Sequence, residues 1–518
     1  MYSSTYSTGG KTMNVNRWQT ALALVIGFLL VASFTGCSFS PANPNSTVPS
    51  TQAGVRLEVL VSALNNLPSD PAMDRIKREL DEALGIDLKI TAIVGDEDYK
   101  NQRSLRLASN TSADLFYVDR RDMIKLSQQG KLLDLTPYMD ELQETKQFVG
   151  GDETMTTGTY SGKVFGIPKT SPAPQFTLWV REDWLEKVGM QPPSTLGQLM
   201  EVMKAFTEQD PDGNGKHDTY GFTGNPQFNA LDQLFGAYGT TFPGKFYIKD
   251  GQLINSLYDP RMKQALEFMK EMVTTGVVDP DFLANTKGQQ KDKAYQGQVG
   301  LLNFNWPIVV NSDAVKQIST FQPEARWIQL SAPVGPGGAY NGYDDFSARS
   351  ILVMPATLQK EPDKLRKIIE LLNYLSSTEG SRLVQYGLQG VHYQLAEEEI
   401  MPTENIRDVV YSHLYQLLGR DEMTYLRTKF PDAEPYYSFA IDQPRLKVYD
   451  AFIELPQSFN AADANRYIME ETFKFISNKR PLAEYDDFVG TLEKAYHYTQ
   501  YMEAAVKQLA EQGFLQNE

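Results

Sequence analysis

V-R-L-E-V-L-V-S at residues 55–62 opens the run that decides the fold. It reads as a strand, rich in β-branched and aliphatic side chains. Asp70 and Pro71 then open an amphipathic helix that Gly85 closes, with Met73, Ile76, Leu80 and Leu84 on one face. Residues 86–94 form the next strand, 98–109 the next helix, and D-L-F-Y-V-D at 114–119 the third strand. Strands alternating with helices imply a parallel sheet. In such a sheet a ligand sits beyond the carboxyl ends of the strands, which singles out the loops at Asn65 and Asn66 and at 117–120, with Asp119.

Upstream, residues 21–32 are an apolar run of signal-peptide length, too short for a comfortable membrane span, and Lys11 and Arg17 supply the positive flank. S-F-T-G-C at 33–37 resembles a lipobox, in which signal peptidase II cuts before the cysteine and the thiol carries diacylglycerol. Residues 1–36 are therefore read as a lipoprotein signal peptide, with Met13 as an alternative start, and Cys37 as the lipidation site. The Ser/Pro/Asn/Thr composition of 37–54 is that of a flexible tether.

Cys37 is the only cysteine among 518 residues, so once lipidated it leaves no thiol for catalysis, zinc binding or a disulfide. The formal charge of -16 argues against nucleic acid as a partner and against an anionic membrane read through basic patches. The length beyond the leader predicts at least two lobes.

Downstream, D-P-D-G-N-G-K-H-D-T-Y-G at 210–221 reads as a calcium loop. Calcium takes six to eight oxygens, and here Asp210, Asp212, Asn214 and Asp218 stand at loop positions one, three, five and nine. Gly215 permits the turn at six, and Lys216 offers a carbonyl at seven. An EF-hand closes with a bidentate Glu at position twelve, where this chain has Gly221, so a metal-free Asp/Asn/Gly turn stays open as the other reading. Ser194 caps the preceding helix, which carries Leu196, Leu199, Met200, Met203 and Phe206 at helical spacing.

A hairpin follows at 246–254, a helix at 260–276, strands at 299–305, 327–330 and 350–354, and helices at 362–376 and 378–386. Residues 460–477 and 485–509 are helical, whereas 429–443 reads as irregular.

Y-S-G-K-V-F-G-I-P-K at 160–169, L-W-V-R-E-D-W-L at 178–185, the loop at 210–221 and Y-G-L-Q-G-V-H-Y at 386–393 together resemble family 1 extracellular solute-binding lipoproteins of ABC importers. The likeness is to the large branch that includes the alginate-oligosaccharide-binding proteins. It implies an α/β, two-lobe periplasmic-binding-protein-like fold (class II) with a helical C-terminal part. Residues 55–165 would form lobe 1, 166–395 mainly lobe 2 with cleft-crossing segments, and 396–518 a helical part packed on both. The resemblance further implies a structural calcium ion, weakened by Thr219 where that branch has a Glu. It also implies a monomer at the outer face of the cytoplasmic membrane that hands an oligosaccharide to ABC permease subunits.

Catalytic signatures are scarce. His217, His392, His413 and His497 are scattered, with no H-E-x-x-H, G-x-S-x-G or P-loop, so the chain is not read as an enzyme. A pair of glycosidase carboxylates leaves no spacing signature, which keeps a lipid-anchored glycan-degrading enzyme as the alternative, beside a sugar-sensing receptor subunit. Sugar recognition needs aromatic faces and polar groups that fix hydroxyls. Trp306 with Asn303 and Asn305 at a strand end fits that need, or else Trp306 starts the next helix and is buried. Tyr343 with Asp344, and His392 with Tyr393, come next, and the resemblance adds Lys169 and Thr170 as cleft residues. Trp179 and Trp184 read as packing residues.

Overall fold

Alternation in the first strand assigns its two faces to two different cores. Leu57, Val59 and Val61 enter one with Ile76, Leu80, Ile368 and Leu372, while Leu60 enters another with Tyr99, Phe116 and Met123. Each such side chain, withdrawn fully from water, contributes roughly 1.5–3 kcal/mol. The strand is therefore covered on both sides, as a central parallel strand must be. The computed structural model describes residues 54–63, 67–170, 172–225, 229–344 and 350–515. The leader, Cys37 and Asn65 lie outside the described residues.

Two sheets organise the body. The strands in chain order are β1 (Val55–Ala63), β2 (Ile86–Val94), β3 (Leu115–Val118), β4 (Gly166–Pro168), β5 (Phe176–Arg181), β6 (Tyr220–Thr223), β7 (Val299–Asn305), β8 (Trp327–Leu330) and β9 (Ile351–Val353). The first sheet has the order β2-β1-β3-β9-β4 and the second β8-β5-β7-β6. β1 pairs parallel with β2 and β3, whereas β9 runs antiparallel to both β3 and β4. In the second sheet β5 lies antiparallel to β7 and β8, and β6 runs parallel to β7.

The chain crosses between these bodies three times. Residues 169–175 link β4 to β5, and β9 returns to the first sheet after β8. A third passage separates Leu418, in the first core, from Leu426, which packs in the second body. Residues 351–395 thus belong with the first sheet, since β9 and the helices Pro362–Ser376 and Thr378–Tyr386 pack there, rather than mainly with the second lobe as the resemblance implied, and Val409 to Leu418 of the expected C-terminal part join the same core. The C-terminal helices Ala461–Ile476, Tyr485–Ala495 and Tyr498–Glu511 join the second core through Ile468, Phe488 and Leu509.

Local signals set most boundaries. Gly85, at φ 60°, ends the helix Arg75–Leu84, whose cap is Asp74; Met73 falls in a preceding 3-10 turn and is 61% exposed. Thr195, not Ser194, caps the helix Leu196–Glu208, accepting from the Gln198 N–H. The expected single helix at 485–509 is broken at His497, which stands at φ 57°. The stretch expected to be irregular contains the helix Glu434–Asp442, because Tyr437 and Ala440 are buried there despite the weak local pattern.

Candidate functional site

The first and third crossings are sewn together beside a cavity. The Thr170 N–H donates to the Leu418 carbonyl (2.9 Å), and the Thr170 hydroxyl both donates to the Arg420 carbonyl (3.0 Å) and accepts from the Arg420 N–H (2.8 Å). Gly419, at φ 90°, permits this contact, since a β-carbon built there would overlap the Thr170 hydroxyl. The cavity alongside measures about 800 Å³, within the range of small-molecule sites.

Both bodies supply its walls. The first contributes Lys169, Ser350, His413 and Gln416, and the second Phe176, Asp232, Asn303, Tyr343, Asp344 and Arg445. A smaller cavity of about 270 Å³ shares Lys169 and Ser350 and reaches Ser62, Asp96 and Asp119 at the carboxyl ends of β1, β2 and β3. That is the place expected from the parallel strands. Asp119 itself caps the helix Arg120–Gln128, accepting from the Asp122 N–H at 2.8 Å.

The bodies also touch away from the crossings. Arg121 Nη2 donates to the Asp450 carbonyl (3.2 Å), Gln128 Nε2 donates to Glu454 Oε2 (3.3 Å), and the Arg120 guanidinium lies 5.0 Å from the Phe452 ring centre. A further cavity of about 820 Å³ adjoins these contacts, but its rings Tyr449, Phe452 and Phe514 pack on one another.

Charges in the main cavity differ in how they are compensated. Arg420 pairs with Glu422 through Nε (2.6 Å) and Nη2 (3.0 Å) and stacks 3.6 Å over Tyr425. Burial, then the nearby Arg420, pushes the Lys169 ammonium down to about 8, and Glu422 opposes this. Arg445 gives Nη1 to the Gln443 carbonyl and Nη2 to that of Ala440. Burial pushes the Asp232 carboxyl up to about 8 against the pull of Lys245 and Arg445.

Several expected site residues lie elsewhere. Trp306 is 3% exposed and packs against Phe430 and Tyr437, so its ring faces the core and not the cleft. Asn303 reaches the cavity wall, whereas Asn305, paired with Phe176 in the sheet, is not part of it. His392 is buried and its Nδ1 accepts from the Leu388 N–H (2.8 Å), while Tyr393 packs edge-on against Tyr386; both serve the structure around 386–393. Trp179 and Trp184 are wholly buried. Phe176, 39% exposed at the mouth of the first crossing, lines the cavity together with Tyr343. The only sequence signal for Phe176 was its place after P-A-P-Q.

The 210–221 loop gathers the oxygen groups of a calcium site and ties them to one another and to backbone N–H groups by hydrogen bonds. Asn214 Nδ2 donates to Asp212 Oδ2 (2.7 Å) and Asp218 Oδ1 (3.0 Å), while both Asp210 oxygens accept backbone N–H groups from Asn214 (3.2 Å) and Gly215 (2.9 Å). The Lys216 N–H in turn donates to Asn214 Oδ1 (2.8 Å). Among the described residues no three acidic, His or Cys side chains are placed to hold a metal ion. The loop is instead anchored by protein: Thr219, 2% exposed, donates to the Phe206 carbonyl (2.8 Å), and the Gly221 N–H donates to the Thr207 hydroxyl (3.0 Å).

Two α/β bodies, joined by three crossings and facing each other over a shared cavity, define a two-lobe, periplasmic-binding-protein-like fold. The chain belongs to the bacterial extracellular solute-binding proteins, whose family model matches residues 70–381. Lipoprotein LipO of Bacillus subtilis is 25% identical over 419 residues, which cover 77% of this chain and 79% of that protein. The polygalacturonan/rhamnogalacturonan-binding protein YtcQ of the same organism is 22% identical over 498 residues, 93% of this chain and 96% of that one. Among solved structures, the Streptococcus pneumoniae ABC-transporter substrate binding protein FusA in complex with kestose matches with a TM-score of 0.66 at 18% identity, over 89% of this chain and 99% of that one. Alginate-binding protein AlgQ2 without calcium ion gives a TM-score of 0.66 at 14% identity, over 88% and 97%.

Proposed function

We propose that this protein captures an oligosaccharide outside the cell and delivers it intact to an ABC importer. The observation that carries this reading is the cavity of about 800 Å³ walled by both bodies, with an exposed aromatic, amides and charged groups in place of a catalytic constellation. Each body presents only part of the contact surface, so a ligand touching both favours the closed arrangement, as in hinged binding proteins. The names of YtcQ and FusA point to sugars as well.

The supporting assignments follow the sequence. Residues 1–36 act as a signal peptide, Cys37 carries the lipid, 37–54 serves as tether, and the protein works as a monomer at the outer face of the cytoplasmic membrane. Two acyl chains hold a protein stably where one does not. Calcium at 210–221 adds weakly to the second lobe; the hard-oxygen donor set supports this, as does the existence of an EF-hand mutant of FusA.

A glycan panel read by thermal shift tests the function, since a ligand that binds only the folded state raises the melting temperature with RT ln(1 + [L]/Kd). Scattering with and without the stabilising glycan reads closure, and chromatography of the released glycan reads whether it is intact. Cleaved product would turn the reading to a glycan-degrading enzyme. Loss of membrane attachment in Cys37→Ala checks the anchor.

A further inference from the structure

Among the described residues, two oxygen acceptors on successive residues in the wall of the main cavity have no donor. Asp232 and Gln233 both line the cavity, and Gln233 is 2% exposed. Gln233 Nε2 donates to Asn341 Oδ1 (2.8 Å), and Asn341 Nδ2 donates in turn to the Phe176 carbonyl (2.8 Å). A carbonyl only accepts, so Asn341 must turn its amine to Phe176 and its oxygen to Gln233. That relay fixes the Gln233 amide with Oε1 left over. Among the described residues neither Gln233 Oε1 nor Asp232 Oδ1 has a partner. A buried acceptor without a donor costs about 1–3 kcal/mol, and two on successive residues of a cavity wall mark a place where donors arrive.

We propose that Asp232 and Gln233 together recognise the hydroxyl groups of one neutral sugar unit, and that this wall disfavours a sugar carboxylate. The inference rests on the oligosaccharide reading and narrows it. Two hydroxyls of one ring can donate to the two oxygens. A carboxylate has only lone pairs to set against Gln233 Oε1, in a wall where an unpaired charge is costly. Arg445, one of the two cations whose field reaches Asp232, already gives Nη1 and Nη2 to backbone carbonyls. Phe176, whose carbonyl ends the amide relay, supplies an apolar face for the C–H side of a ring in the same cavity.

The test titrates wild type, Asp232→Asn and Asp232→Leu with neutral oligomers (xylo-, gluco-, galacto- and fructo-oligosaccharides) and with oligogalacturonates, by calorimetry and melting temperature. The wild type should bind a neutral oligomer more tightly than any uronate. At pH 9, where Asp232 is ionised, both variants should lose about ten- to a hundredfold in that affinity, the range expected for a hydrogen bond to a charged group. Without ligand, Asp232→Asn should melt above the wild type, because an unpartnered buried carboxyl has gone; a purely structural aspartate would melt lower when replaced. Tighter uronate binding by the wild type, or variant affinities within twofold of it, would overturn this assignment and leave the transport reading standing. Binding of neither class would overturn both.

Discussion

The Thr170 hydroxyl and the Arg420 backbone exchange two hydrogen bonds, at 3.0 and 2.8 Å, across 250 residues of chain. This pair joins two of the three crossings at the edge of the cavity. Thr170→Val keeps the shape but leaves the Arg420 N–H and carbonyl unpaired. It should cost about 1–3 kcal/mol in urea unfolding. Gly419→Ala should cost at least as much, because the residue needs positive φ and has no room for a β-carbon. A Gly419→Ala protein as stable as wild type would show that the seam can move aside.

Trp306→Ala should act on stability and not on recognition. Removing a buried tryptophan costs about 3–5 kcal/mol. Trp306→Phe should cost much less, since it keeps a ring against Phe430 and Tyr437 and removes an Nε1 N–H with no partner among the described residues. Glycan affinity of the Phe variant, measured by calorimetry, should stay within twofold of wild type.

Phe176→Ala should do the reverse. Its ring is exposed to the cavity, so truncation removes stacking on a sugar at about 1 kcal/mol, some fivefold in Kd, with little change in melting temperature. An unchanged Kd would place the sugar against another wall.

The ligand-free stability difference between Asp232→Asn and wild type should grow with pH. Below about pH 4 the aspartate is protonated in folded and unfolded chains alike. Between about 4 and 8 the unfolded chain has lost the proton that the folded chain keeps, because burial pushes the folded carboxyl up to about 8. The folded state then binds more protons, so wild-type stability falls as pH rises through this window and the variant's does not. A difference in melting temperature that is flat from pH 4 to 8 would show that the carboxyl titrates normally.

Calcium should raise the melting temperature only modestly, and Asp212→Ala should abolish the effect, because the loop is already closed by Thr219 and Thr207. Thr219→Val should destabilise the protein by about 1 kcal/mol with or without calcium. A fall of many degrees on adding a chelator would instead make the metal the main closure of the loop.

Much of the scaffold is legible in sequence because its signals are local. The strand bounds 299–305 and 327–330 and the helices 362–376 and 378–386 follow from apolar spacing, Pro and caps, and the structure places them there. Lys169, Thr170, Tyr343 and Asp344 line the cavity. What failed depends on distance. A tryptophan at a strand end looks the same whether its ring meets sugar or Tyr437, and Tyr437 lies 131 positions away in a stretch with no clear pattern of its own.

By itself the sequence determined which segments become strands and helices, since φ/ψ preference, capping and apolar period act over a few residues. It also carried the family, because four motifs keep their order. Only the tertiary structure decided that residues 351–418 return to the first sheet, that Phe176 and not Trp306 faces the cavity, and that Gln233 Oε1 meets no donor among the described residues. Each of these depends on which remote groups share one small volume: β9 between β3 and β4, Tyr437 over Trp306, Asn341 between Gln233 and Phe176. Packing and hydrogen-bond saturation are properties of that volume, and no window of sequence contains it.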